Sequence, residues 1–155
     1  MPVPALPPYG HLNQETIQCV VEAAEHYQVP ELLLHAILAK ENGRNGQYSV
    51  NVNGSKDLGL AQINTSWMTE FSKYGITPER VLNNACLNVS LSAYILKYNW
   101  ARQNGDWFRA IVAYNIGNER WTSLRYGIGY RYARDVVRYW WNFQDYVEIS
   151  SKKEK

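Results

Sequence analysis

The sequence predicts a mainly α-helical domain, and three observations carry that expectation. Apolar residues recur at helical spacing in successive segments along the chain. One polar stretch, rich in Asn, Gly and Ser and running from residue 42 to about residue 58, interrupts them. The composition, 46% hydrophobic and 19% charged over 155 residues, is that of a folded chain with room for a single core.

The elements follow in order. Four of the 6 prolines (Pro2, Pro4, Pro7 and Pro8) lie in the first eight positions, so residues 1–12 read as an extended N-terminal arm. This stretch has neither the basic n-region nor the apolar h-region of a secretory signal. Asn13 suits an N-cap, followed by Ile17, Val20, Val21 and Ala24 at i, i+3, i+4 and i+7 of a first helix. Pro30 suits the first turn of a second helix, with Glu31 near its positive end. Leu33, Leu34, Ala36, Ile37 and Leu38 supply its buried face, and Asn42-Gly43 ends it. In the polar stretch, Asn53-Gly54 is a tight-turn dipeptide, and an irregular or weakly β-hairpin-like lobe is expected. Helical periodicity returns after Trp67 and is strongest from Leu87 to Trp100, where Leu91, Tyr94, Ile95 and Tyr98 share a stripe. A shorter helix is expected over 107–114 and a last long one over 130–146. The domain would then span 13–147, leaving 148–155 as a charged, disordered tail.

Several function classes are disfavoured. A net charge of +2 implies neither a nucleic-acid nor a membrane partner, and no apolar run approaches the roughly 20 residues that span a bilayer. His11, His26 and His35 show no metal-ligand spacing, so no metal or other cofactor is expected. No nucleophile-elbow pattern supports Ser-His-Asp chemistry. Arg120, Arg125, Arg131, Arg134 and Arg138 interleave with many aromatics near the C-terminus, a mixture that can stack single-stranded nucleic acid. A closing helix with aromatics on the core and arginines in solvent is the preferred reading, with Trp140 or Trp141 able to stack on sugars or dock a partner. Cys19 and Cys86 can, on spacing alone, be buried thiols or a disulfide.

Glu41 is the residue most suggestive of chemistry. Leu34, Ile37 and Leu38 precede it by seven, four and three residues, which puts its carboxyl on an apolar stripe in the last turn of the second helix. Partial desolvation and the negative helix end both favour the protonated form that a general acid needs near neutral pH. A solvent-facing helix-end Glu is the bland alternative. Downstream lie Asp57 and then Gly59-Leu60-Ala61-Gln62-Ile63-Asn64. Gln62 and Asn64 offer amides suited to sugar hydroxyls and N-acetyl groups, and Gly59 would let backbone approach a ligand. Tyr114 shares a helical face with Trp107, Ala110 and Ile111, and Asn115 follows it.

Glu41 with Gly43, the run Gly59–Asn64, and Ala113-Tyr114-Asn115 with Gly117 resemble the three signature motifs of the soluble lytic transglycosylase family. They are similar in particular to the small specialised enzymes that accompany type IV and type III secretion systems, pili and conjugation. The resemblance runs from about Cys19 to Val137. It implies a lysozyme-like, two-lobed helical fold with a central cleft. It also implies cleavage of the β-1,4 bond between N-acetylmuramic acid and N-acetylglucosamine, leaving a 1,6-anhydro end. Glu41 would act first as acid and then as base, Tyr114 would hydrogen-bond and orient its carboxyl, and Gln62 would contact the N-acetyl region. Asn64 and Asn115 would line the cleft. By the same resemblance Cys19 and Cys86 would form a structural disulfide, as befits an oxidising compartment. The expected partners are peptidoglycan glycan strands and a secretion or pilus component. The expected state is a periplasmic monomer whose export signal is not in this chain.

Departures concern the cleft: Ala61 stands where Met is common, and Asn42 where Ser often follows the acid. Asp57 leaves an alternative open, since the stretch from Asn53 to Asn64 also looks like animal-type lysozymes. There a second carboxylate supports hydrolysis, as in the type case of a retaining glycosidase. A structural or electrostatic role for Asp57 is the preferred reading. The alternative of another class is a non-catalytic module that binds peptidoglycan or a secretion machine.

Overall fold

The computed structural model describes residues 12–153; the N-terminal arm expected over 1–12 lies outside these but for Leu12. The described residues hold seven α-helices, one small sheet and two short 3-10 helices (Thr65–Trp67 and Ser72–Tyr74). Helix α1 (Gln14–Tyr27) opens as expected at Asn13, whose side chain accepts from the Thr16 amide at 2.8 Å. Gln28 closes it in the left-handed region. Pro30 is the N-cap of α2 (Glu31–Glu41), just outside the first turn, and Asn42 ends it with φ 51°.

Helix α2 differs from an amphipathic helix. Every residue from Leu33 to Ala39 is buried, His35 included. Burial of Glu41 therefore comes from enclosure of the whole helix end, and a single apolar stripe understates it. The same enclosure holds the His35 imidazole down to about pKa 4.

The polar stretch forms a hairpin and a third short strand. Strands β1 (Tyr48–Val50), β2 (Lys56–Leu58) and β3 (Ile63–Asn64) form an antiparallel sheet in that order. Ser49 pairs with Asp57, and Asp57 with Asn64, so these three polar residues lie side by side on one face. Leu58 pairs with Ile63 and both are buried in the core. Two short helices follow, α3 (Met68–Phe71) and α4 (Pro78–Asn83), then the long α5 (Ala85–Arg102). Helix α5 packs on α1, α4 and α6 (Trp107–Ile116) and also touches β3. It is consequently buried on more than the expected stripe: Leu91 and Ile95 are joined by Val89, Ala93 and Leu96. Tyr94 and Tyr98 lie at its edge, in ring contact with Trp67.

The final helix departs most from expectation. Helix α7 runs Ser123–Lys153, so it starts before residue 130 and passes through 148–153 with no disordered tail over those residues. Gly127 and Gly129 are poor helix formers, which hid its first turns. A Cβ on Gly129 would meet Val112 Cγ1 at 2.7 Å, so this glycine serves close packing of α7 on α6. At the far end Lys152 pairs with Glu148 at 3.1 Å, one turn earlier. Cys19 and Cys86 are disulfide-bonded, joining α1 to the first turn of α5. No helix among the described residues is long and apolar enough to cross a membrane.

Candidate active site

A cleft of 430 Å³ separates the sheet from the helices, lined on one side by Asn51, Asp57, Gln62 and Asn64 and on the other by Tyr114, Asn115 and Asn118. Glu41 reaches it from the end of α2. Backbone packing explains why this helix ends there. Gly43 is buried against the Gly59–Leu60 peptides, and a Cβ at Gly43 would lie 2.0 Å from the Gly59 carbonyl oxygen. No other residue fits, so the Glu41–Gly43 turn and the Gly59–Asn64 segment are locked together.

Burial raises the Glu41 carboxyl to about pKa 7; the Tyr132 hydroxyl opposes the rise, the Asp57 charge adds to it, and Lys40 opposes it. Tyr132 lies on the buried face of α7, and its hydroxyl has no full hydrogen bond among the described residues. It nevertheless stands close enough to Glu41 to act on its protonation. In the sequence Tyr132 is one of many aromatics near the C-terminus, and nothing local marks it out, because its place beside Glu41 depends on where α7 crosses α2.

Tyr114 lines the cleft but does not hydrogen-bond the Glu41 carboxyl. Its hydroxyl donates to the Ala61 carbonyl at 2.9 Å and lies 3.0 Å from Ser92 Oγ. One phenolic proton can be given once, so the Ser92 hydroxyl is the donor in the second contact. Tyr114 thus ties α6 to the Gly59–Asn64 segment, and burial, then the Glu41 charge, keeps its phenol protonated.

Asp57 and Asn64 both line the cleft. Asn64 donates to Asp57 Oδ1 at 2.9 Å and to Ser55 Oγ at 3.0 Å, while its own oxygen caps the following turn at the Ser66 amide. Gln62, at φ 53°, accepts from Ser49 Oγ at 2.8 Å and donates to the Gly59 carbonyl at 2.9 Å. One amide hydrogen and one lone pair of Gln62 remain for a ligand. Asn115 is exposed at the cleft wall.

Gly59, expected to give a ligand access to backbone, is not among the residues that line the cleft; at φ +67° its Cβ position faces Asn88 Nδ2 at 2.5 Å. Asn88 is the residue that sequence reasoning missed here. Fully buried in α5, it donates to the Leu58 and Val81 carbonyls and accepts from the Ala61 amide, all at 2.9 Å. An amide between the apolar Leu87 and Val89 of that helix was the available signal. Arg125 also lines the cleft, donating to the Ile116, Glu119 and Arg120 carbonyls beyond α6. Trp140 and Trp141 line no part of it, although Trp141 is 63% exposed. Among the described residues no group of three or more His, Cys, Asp or Glu could hold a metal ion.

A carboxyl raised to near neutrality, beside a second carboxylate and a wall of amides, can give a proton to an ether oxygen and take one back. Comparison with known proteins agrees with that chemistry. Residues 18–129 match the Transglycosylase SLT domain family. Over 144 residues the chain is 31% identical to Invasion protein IagB of Salmonella typhi, covering 92% of this chain and 86% of the relative. It is 34% identical over 121 residues to Protein IpgF of Shigella flexneri, covering 77% of each. It is also 32% identical over 136 residues to X polypeptide of Escherichia coli, covering 82% and 75%.

Proposed function

The chain belongs to the transglycosylase SLT family, and from that premise we propose that it is a peptidoglycan lytic transglycosylase with Glu41 as its acid and base. The observation that carries the reading is the half-dry Glu41 carboxyl at the head of the cleft, protonated up to about pH 7. In the first step Glu41 gives its proton to the oxygen of the β-1,4 bond between N-acetylmuramic acid and N-acetylglucosamine, and the bond from that oxygen to muramoyl carbon 1 breaks. In the second step the muramoyl carbon-6 hydroxyl closes on carbon 1, its proton passes to the Glu41 carboxylate, and no water is consumed. Together the two steps return Glu41 to its protonated form.

The supporting residues divide the remaining work. Tyr132 steadies the carboxylate form between the two steps. Tyr114 holds the Ala61 carbonyl, and through it the wall that carries Gln62, which contacts the N-acetyl group. Asn64 and Asn115 meet sugar hydroxyls. Asp57, whose carboxylate is tethered by Asn64, acts through its charge, helping Glu41 keep its proton and stabilising positive charge at carbon 1. Its presence across the cleft from Glu41 favours one second reading, a muramidase in which Asp57 supports attack by water.

A peptidoglycan substrate supports a periplasmic location, and a disulfide accords with that compartment. The motif resemblance to the small enzymes of secretion systems and pili supports a local opening of the wall for such an apparatus, and one relative is named an invasion protein. Incubating purified sacculi with the protein and weighing the soluble muropeptides tests the reading. The expected products are lighter by one water than hydrolytic ones, and Glu41→Gln is expected to release none. Hydrated reducing ends would establish the muramidase instead. Binding to sacculi with no fragments from the parent protein would leave a non-catalytic binding module.

A further inference from the structure

Lys40, next to the acid, reaches across to α7 and donates to Asp135 Oδ2 at 3.1 Å. The bond joins residues 95 apart in the chain. Asp135 follows Tyr132 by three positions, on the same face of α7. The Lys40 ammonium also lies 6.0 Å from the centre of the Tyr132 ring. Helix α7 therefore meets the end of α2 twice, through Tyr132 against Glu41 and through Asp135 against Lys40. On the other side the same turn is locked by Gly43 against Gly59 and Leu60. Glu41 is held between an unyielding backbone contact and an ion pair.

We propose that Lys40 and Asp135 are positioning residues for Glu41, setting the register of α7 on α2 so that the Tyr132 hydroxyl stays beside the carboxyl. The pair also holds the Lys40 ammonium at a defined place next to that carboxyl. The inference rests on the reading of Glu41 as the acid and base. A partly exposed pair of this kind, 32% and 34% accessible, adds little to stability, so its effect belongs in turnover. The charged and titratable groups facing Glu41 are Asp57 from β2, Tyr114 from α6, Tyr132 from α7 and Lys40 from its own helix. Removing the Lys40 charge takes away the one cation among them, which favours the protonated acid further.

Turnover of purified sacculi by the full chain, measured across pH, tests the pair. Lys40→Met and Asp135→Asn are each expected to lower kcat about tenfold with KM within about twofold, because misplacing the acid affects the chemical step more than binding. Lys40→Arg, which keeps cation and pair, is expected to retain kcat within about twofold of the parent. In Lys40→Met the fall of activity on the alkaline side should move to higher pH. Melting temperatures of all three should stay near that of the parent. Unchanged kcat and an unmoved alkaline fall in both Lys40→Met and Asp135→Asn, with Glu41→Gln inactive, would overturn the pair's role and leave Glu41 standing. Lower turnover that only follows a lower melting temperature, with the pH profile unmoved, would overturn it too. An active Glu41→Gln would remove the acid/base reading, and this one with it.

Discussion

At the scale of the residue, burial of the Glu41 carboxyl makes stability depend on pH. Its folded pKa, about 7, lies above the ordinary value of 4.5. The folded chain therefore holds this proton at pH values where the unfolded chain has released it, and stability falls as pH rises through that window. The loss is on the order of 3 kcal/mol, complete above the folded pKa. Glu41→Gln, neutral at every pH, should match the parent near pH 4 and exceed it in denaturant unfolding at pH 8 by that amount. Equal stabilities at pH 8 would mean that the carboxyl is not desolvated. Glu41 was legible from its neighbours Leu34, Ile37 and Leu38. Tyr132 was not, because a tyrosine in an aromatic-rich helix carries no mark of the residue it faces across an interface.

At the scale of the element, the cleft depends on how the sheet is fastened to the helices. Asn88 does this with one amide that serves Leu58, Ala61 and Val81. Asn88→Leu would leave buried backbone groups without partners, at a cost of about 2–4 kcal/mol. Because Ala61 and Gln62 belong to the released segment, turnover should fall by more than the folded fraction does, which thermal melts and sacculus assays on one sample would separate. Element positions read well where local chemistry governs them, as at the Asn13 cap and the Asn42-Gly43 stop. They read poorly at α7, which begins at Ser123, before the expected residue 130, and carries Gly127 and Gly129 in its first turns. Glycine lowers helix propensity, but packing Gly129 against Val112 outweighs that loss, and packing is not written in a local window.

At the scale of the whole molecule, the Cys19–Cys86 bridge joins α1 to α5, two helices that pack together, and neither cysteine lines the cleft. Closing a loop of 67 residues stabilises by about 4 kcal/mol on the chain-entropy view. Cys19→Ser with Cys86→Ser should lower the melting temperature by several degrees and leave turnover per folded molecule unchanged. A proportionate loss of kcat would show that the bridge shapes the cleft. Periodicity, caps and motif order sufficed for the helical class, the polar excursion and the place of Glu41 at a buried helix end, because those follow from interactions within a few residues along the chain. The partners of that carboxyl came only with the folded molecule. The approach of Tyr132, the Lys40–Asp135 tie, the turning of Gly59 towards Asn88 and the bond from Tyr114 to Ala61 all join segments distant in sequence. Their geometry is set by how helices cross and by which backbone groups must be satisfied at the crossing.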